Sequence, residues 1–148
     1  LSNNYIADTH GNTGMFATIF FGILDPHNGK LTYINGGHLP PVIIRQAGKK
    51  QVLSPTGPAV GAIEDAVYDI QQTTIGQNEV FFAYTDGLTD TANPAGEPFN
   101  EQSLISFFTN QHALDKTLDK IQNQVVQHAA GIKQMDDITL LAVRRERG

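Results

Sequence analysis

Cysteine and tryptophan are both missing from this 148-residue sequence. Without cysteine there is no disulfide framework, no zinc–thiolate site and no thiol nucleophile. Long apolar runs are missing too. None approaches the ~20 residues of a membrane-spanning helix, and residues 1–14 lack the basic start and apolar stretch of a signal peptide. A cytoplasmic protein without a membrane segment is expected. Basic charge is sparse: ten Lys and Arg against fifteen Asp and Glu leave a formal net charge of −5. Apart from Lys49–Lys50 and the tail residues Arg144, Arg145 and Arg147, the basic residues are scattered. A surface that tracks phosphates gathers its charge on one face, so no nucleic-acid partner is expected. The familiar catalytic signatures GxSxG, GxxxxGK, GxGxxG and HExxH are absent as well. His10, His27, His38, His112 and His128 are never spaced four apart on a helix, and they read as surface or turn residues.

What is present suits one soluble domain spanning residues 1–148, with 40% hydrophobic and 17% charged residues. Met15–Leu24 is β-branched, aromatic and apolar on both alternating faces, which predicts a central strand covered on both sides. Asp25-Pro26-His27-Asn28-Gly29 is a turn, and Leu31–Asn35 the returning strand of a hairpin. Short strands are expected from Val42 and near Val52. A loop follows over Ser54–Asp65, then a weakly alternating strand over Val67–Thr73. Val80–Thr85 is a second buried strand, ending at Asp86-Gly87. Helical spacing begins only after it. Asn100 is placed to cap a helix carrying Leu104, Phe107 and Phe108. Leu114, Leu118, Ile121, Val125 and Ala129 then form one apolar stripe, which Gly131 can end in the left-handed conformation. Ile138–Val143 is the last strand. Strands, then two helices, then a strand predict an α+β domain built on antiparallel sheet.

The chemistry-bearing residues in this frame are acidic. Asp86 follows one apolar strand and Asp136 precedes another. If those strands pair antiparallel, both carboxylates leave one edge of the sheet, and a cation between them would relieve their repulsion. Oxygen-only ligands favour Mg²⁺ or Mn²⁺ over zinc. On spacing alone, Asp-Gly and Asp-Asp serve equally well as turns at strand ends.

Longer blocks carry more information. Met15–Asp25 (MFATIFFGILD), Gly29–His38 (GKLTYINGGH) with Pro40-Pro41, Tyr84–Asp90 (YTDGLTD) and Asp136–Leu141 (DDITLL) together resemble the SpoIIE/RsbU-type phosphatase family. The joining segments Ser54–Gly61 (SPTGPAVG) and Asn93–Glu97 (NPAGE) fall in the matching order. The resemblance covers nearly the whole chain and implies the metal-dependent protein phosphatase (PPM) superfamily. The implied fold is an antiparallel β-sandwich flanked by helices, with two Mn²⁺ or Mg²⁺ ions at one edge. The implied activity is hydrolysis of phosphoserine or phosphothreonine by a metal-activated water, with no catalytic side chain of this chain assigned. Asp86 and Asp136 carry over as metal ligands. Asp137 is placed to replace or support Asp136, and His38 belongs to a motif read as structural.

Family members carry two further acidic segments upstream, a Glu/Asp-bearing strand and a Gly-Asp-x-x-Gly-His-Gly block, and neither occurs here. The resemblance therefore implies the C-terminal part of the domain, its N-terminal portion missing, opening near the end of a helix at Leu1–Ala7. A piece of that kind is expected to be inactive alone, and its uncovered edge invites a homodimer. By the same resemblance the substrate is a phosphorylated STAS-type anti-sigma-factor antagonist, with a sensor or receiver domain upstream. The competing reading is a phosphatase-like interaction module that hydrolyses nothing.

Overall fold

The computed structural model describes residues 2–10, 14–108, 113–134 and 136–146; His112 and Arg147 lie outside them, as does Leu1. The chain divides into two compact units that interleave in sequence. One is Leu1–Pro40 with Leu53–Ile75, and the other is Pro41–Val52 with Gly76–Gly148.

The first unit opens with helix α1, Ser2–His10, and holds a three-stranded antiparallel sheet of order β1-β2-β5. Its strands are β1 (Ile19–Leu24), β2 (Lys30–Gly36) and β5 (Gln71–Thr74). The hairpin between β1 and β2 forms where the turn residues predict it. The Asp25 carboxylate accepts from the His27 amide at 2.9 Å and the Asn28 side chain at 2.7 Å, and Gly29 supplies the positive φ of 78°. Leu31 and Tyr33 are buried, and the Tyr33 ring stacks on Phe20 at 5.2 Å.

Buried Asn35 organises the segment after β2. Its side-chain oxygen accepts from the His38 amide at 2.9 Å, its amide group donates to the Leu53 carbonyl at 3.1 Å, and its backbone exchanges hydrogen bonds with Thr56. Each of these buried polar groups therefore has a partner, as burial requires.

Two expectations fail in this unit. Met15–Leu24 is not covered on both sides: Phe21 is 57% and Ile23 65% exposed, and Ile19 is 38% exposed. The reason is position. β1 has β2 as its only sheet neighbour among the described residues, so one edge and one face lack covering layers. The strand expected over Val67–Thr73 is confined to Gln71–Thr74, with Val67 and Ile70 exposed, because only the later residues reach β2 in register.

The second unit holds a four-stranded antiparallel sheet of order β4-β3-β6-β7, with helices α2 (Glu101–Phe107) and α3 (Leu114–Ala129). Its strands are β3 (Val42–Ile44), β4 (Lys50–Val52), β6 (Val80–Tyr84) and β7 (Leu140–Arg144). All five residues of β6 are buried, as the two-sided apolar pattern predicts. Phe82 is 1% exposed and packs its ring 4.8 Å from Phe108, just past α2. Ile121 and Val125 supply the buried stripe of α3, and buried Thr117 satisfies its hydroxyl by donating to the Ala113 carbonyl at 3.2 Å. α3 ends one residue before the expected glycine: Ala130 is left-handed at φ 46°, ψ 38°, and Gly131 follows at φ 88°. With two antiparallel sheets and helices, the fold is α+β, as expected. No described helix is long and apolar enough to cross a membrane.

Candidate metal centre

β6 and β7 pair antiparallel, from Val80 opposite Arg144 to Tyr84 opposite Leu140. That register puts the end of β6, where Asp86 emerges, beside the segment entering β7, where Asp136 and Asp137 lie.

Thr85 fastens the two. Its amide donates to the Thr139 carbonyl at 3.1 Å, continuing the ladder. Its hydroxyl accepts from the Thr139 amide at 2.9 Å and donates to the Asp137 carbonyl at 3.0 Å. One side chain therefore satisfies groups on both sides of the Asp137–Thr139 turn.

The chain then winds into a single 3-10 turn, Asp86–Leu88, anchored by fully buried Leu88. The Asp86 carbonyl accepts from the Asp90 amide at 2.8 Å and the Thr89 hydroxyl at 3.0 Å, and the Gly87 carbonyl accepts from the Thr91 hydroxyl at 2.7 Å. Gly87 is where the two segments touch. A β-carbon placed there would lie 2.5 Å from the Asp137 carbonyl oxygen and 3.1 Å from that of Asp136. Only glycine permits this approach.

All three carboxylates are solvent-exposed. One Asp86 oxygen accepts from the Gly87 amide at 3.1 Å, and one Asp136 oxygen accepts from the Asp137 amide at 2.7 Å. Gln134 donates its side-chain amide to the Asp136 carbonyl, bracing the turn from its other side.

The donor chemistry suits a hard divalent cation, with carboxylate oxygens converging on one strand end and no sulfur. The number of donors falls short. Among the described residues no group of three or more His, Cys, Asp or Glu side chains gathers closely enough to hold a metal ion. These residues fit one side of a coordination shell.

The structure thus brings the Asp86 turn and the Asp136–Asp137 turn together within the second unit. His38 lies in the first unit, half-buried, its backbone held by Asn35. Sequence reasoning named the carboxylates but missed Thr85, Gly87 and Thr139, which set their backbones. The signal was there in the Thr-Asp-Gly run, where the glycine reads as turn residue and close-approach residue alike.

Comparison with known proteins follows the same lines. The family model described as stage II sporulation protein E (SpoIIE) matches residues 2–146. Protein IcfG of Synechocystis sp. is 44% identical over 146 residues, covering 98% of this chain and 23% of that protein. The chain therefore spans about a quarter of that relative. Among solved structures, the RsbU and RsbW domains of a Mycobacterium tuberculosis protein superpose with a TM-score of 0.72 at 21% identity, over 95% of this chain and 40% of that one. The catalytic domain of the serine/threonine protein phosphatase PstP, solved with two manganese ions, gives 0.69 at 10% identity, over 95% of this chain and 65% of that one. At these identities the structural matches establish the fold.

Proposed function

This chain belongs to the SpoIIE family, and from that premise we propose that it forms part of a metal-dependent protein serine/threonine phosphatase domain. The observation that carries the reading is the Thr85–Gly87 junction, which delivers Asp86 and the Asp136–Asp137 pair to one end of the β6–β7 ladder. In this reading residues 1–148 work as one domain, and Asp86 and Asp136 hold Mn²⁺ or Mg²⁺, with Asp137 beside them. A bound divalent ion would supply Lewis acidity toward phosphate oxygens and a water of lowered pKa. The chain's own residues supply position. Thr85 and Gly87 fix the backbone from which Asp86 leaves, and Thr139 and Gln134 hold the turn that presents Asp136. The expected two-ion site needs further oxygen ligands beyond these, consistent with the small share of IcfG that this chain spans.

The substrate in this proposal is a phosphorylated STAS-type protein, in a bacterial signalling pathway in the cytoplasm, with a sensor or receiver domain in the full-length protein. The likeness to a structure containing an RsbU domain supports the signalling role. The test is phosphate release from a phosphorylated STAS protein by the full-length gene product in Mn²⁺. Asp86→Asn and Asp136→Asn should each abolish most turnover without unfolding the domain. Undiminished turnover in both would reject the assignment. The second reading, a non-catalytic interaction module, draws on the absence of a three-ligand cluster among the described residues. It predicts stable binding of the phosphoprotein with no phosphate release.

A further inference from the structure

The least protected part of the first unit is β1. No charged residue occurs between Asp8 and Asp25, the longest uncharged stretch of the sequence. Sheet edges that stay single in solution carry lysine, proline or a bulge that blocks another strand; β1 (IFFGIL) has none of these. Its side chains at Ile19, Phe21 and Ile23 share one face and are 38%, 57% and 65% exposed.

The backbone directions follow from the hydrogen bonds at the sheet's end. The Asp25 amide donates to the Lys30 carbonyl, and the Ile75 amide donates to the Gly29 carbonyl. Alternation along an antiparallel strand then turns the backbone groups of Ile19, Phe21 and Ile23 toward β2, and those of Gly22 and Leu24 outward. Among the described residues no strand pairs with that outward edge.

We infer that β1 is the pairing surface for a second copy of this chain, joined antiparallel across a two-fold axis at Gly22. With the axis perpendicular to the sheet, a residue must face one of its own alternation class. Centring on Gly22 pairs outward-facing groups with outward-facing groups, so Gly22 exchanges both of its hydrogen bonds with Gly22 of the second copy. Phe21 then stands opposite Ile23 of the second copy, an aromatic–aliphatic cross-strand pair of the kind that stabilises sheets. The match is self-complementary, as a two-fold interface must be. It brings no like charges together along the strands, although each copy has a net charge of −5. This inference is independent of the phosphatase reading.

The chain has no cysteine, so an introduced pair reports on the register without background. Residues opposed in a non-hydrogen-bonded pair have Cα atoms ~4.5 Å apart, within disulfide range. Mixing Phe21→Cys chains with Ile23→Cys chains under oxidising conditions should yield a cross-linked dimer, with several-fold less from either variant alone. Light scattering should give twice the chain mass for the unmodified protein and a single chain mass for Ile23→Lys, with unchanged circular dichroism. Hydrogen exchange at the Gly22 and Leu24 amides should speed up at least tenfold on dilution or in Ile23→Lys. A monomeric unmodified chain, a dimer that survives Ile23→Lys, or equal cross-linking of Phe21→Cys alone would each overturn the inference. So would a longer product of the same gene that stays monomeric while those amides remain protected, because the edge would then belong to a strand of its own chain.

Discussion

Gly87 rests against the carbonyl of Asp137 so closely that a methyl group on its α-carbon would sit 2.5 Å from that oxygen. The obstruction is backbone, which cannot rotate aside. Gly87→Ala should therefore push the Asp86 turn and the Asp136–Asp137 turn apart. Overpacking of this kind costs about 1–3 kcal/mol. A thermal melt should show that loss, and calorimetric titration should show weaker Mn²⁺ binding than the unmodified protein. Unchanged stability and unchanged binding would mean the two turns are not in register.

The carboxylates themselves should separate binding from folding. Asp86 and Asp136 are exposed, so replacing either with asparagine removes charge without opening a cavity. In metal-free buffer the melting temperature of Asp86→Asn should match that of the unmodified chain closely. Its Mn²⁺ affinity should fall by at least ~10-fold, the lower end of what losing even an outer partner of a metal ligand costs. Equal Mn²⁺ affinity in Asp86→Asn and the unmodified protein would remove Asp86 from the ligand set.

Tyr84 gives the fold an alkaline limit. Burial raises the pKa of its phenol, and the nearby Glu101 carboxylate, with which it shares a hydrogen bond, raises it further. In the unfolded chain the group titrates near ~10. Above that pH the unfolded state releases a proton that the folded state keeps. The stabilisation is therefore complete below about pH 10 and falls as pH rises beyond it, by at most ~1.4 kcal/mol per pH unit for one group. Tyr33 and Tyr68 are raised in the same direction by burial. Tyr84→Phe should thus flatten the alkaline decline in urea-melt stability without abolishing it. An identical decline in the variant would place the effect elsewhere.

Two strands with similar apolar patterns behave differently, and the contrast marks what sequence can convey. Val80–Tyr84 and Ile19–Leu24 both read as buried on two faces. β6 is flanked by β3 and β7 and is buried throughout, whereas β1 has one neighbour and stands mostly exposed. Periodicity reports what a strand would bury, not which layers are there to bury it. Turns and caps are local chemistry, so the Asp25–Gly29 hairpin and the start of α2 were legible. The Asp86 and Asp136 neighbourhood was legible too, since it needs only the antiparallel pairing of two apolar strands. Thr85's double hydrogen bond was not, because it depends on a register fixed by the whole sheet. Truncation tests the contrast. Phe82→Ala should cost about 3–5 kcal/mol by cavity formation, and Ile19→Ala about 1 kcal/mol, given its partial exposure. Comparable losses in denaturant melts would contradict the burial difference.

Helix α3 stops at Ala130, which adopts a left-handed backbone one residue ahead of Gly131. That conformation costs an L-residue with a β-carbon about 1–2 kcal/mol, and glycine nothing. Part of the difference returns to the unfolded chain as glycine's extra freedom, ~0.4–1 kcal/mol. The surplus makes this exposed helix end a thermostability handle that natural selection has left unused. Ala130→Gly should raise the melting temperature slightly, against the usual rule that glycine weakens a helix.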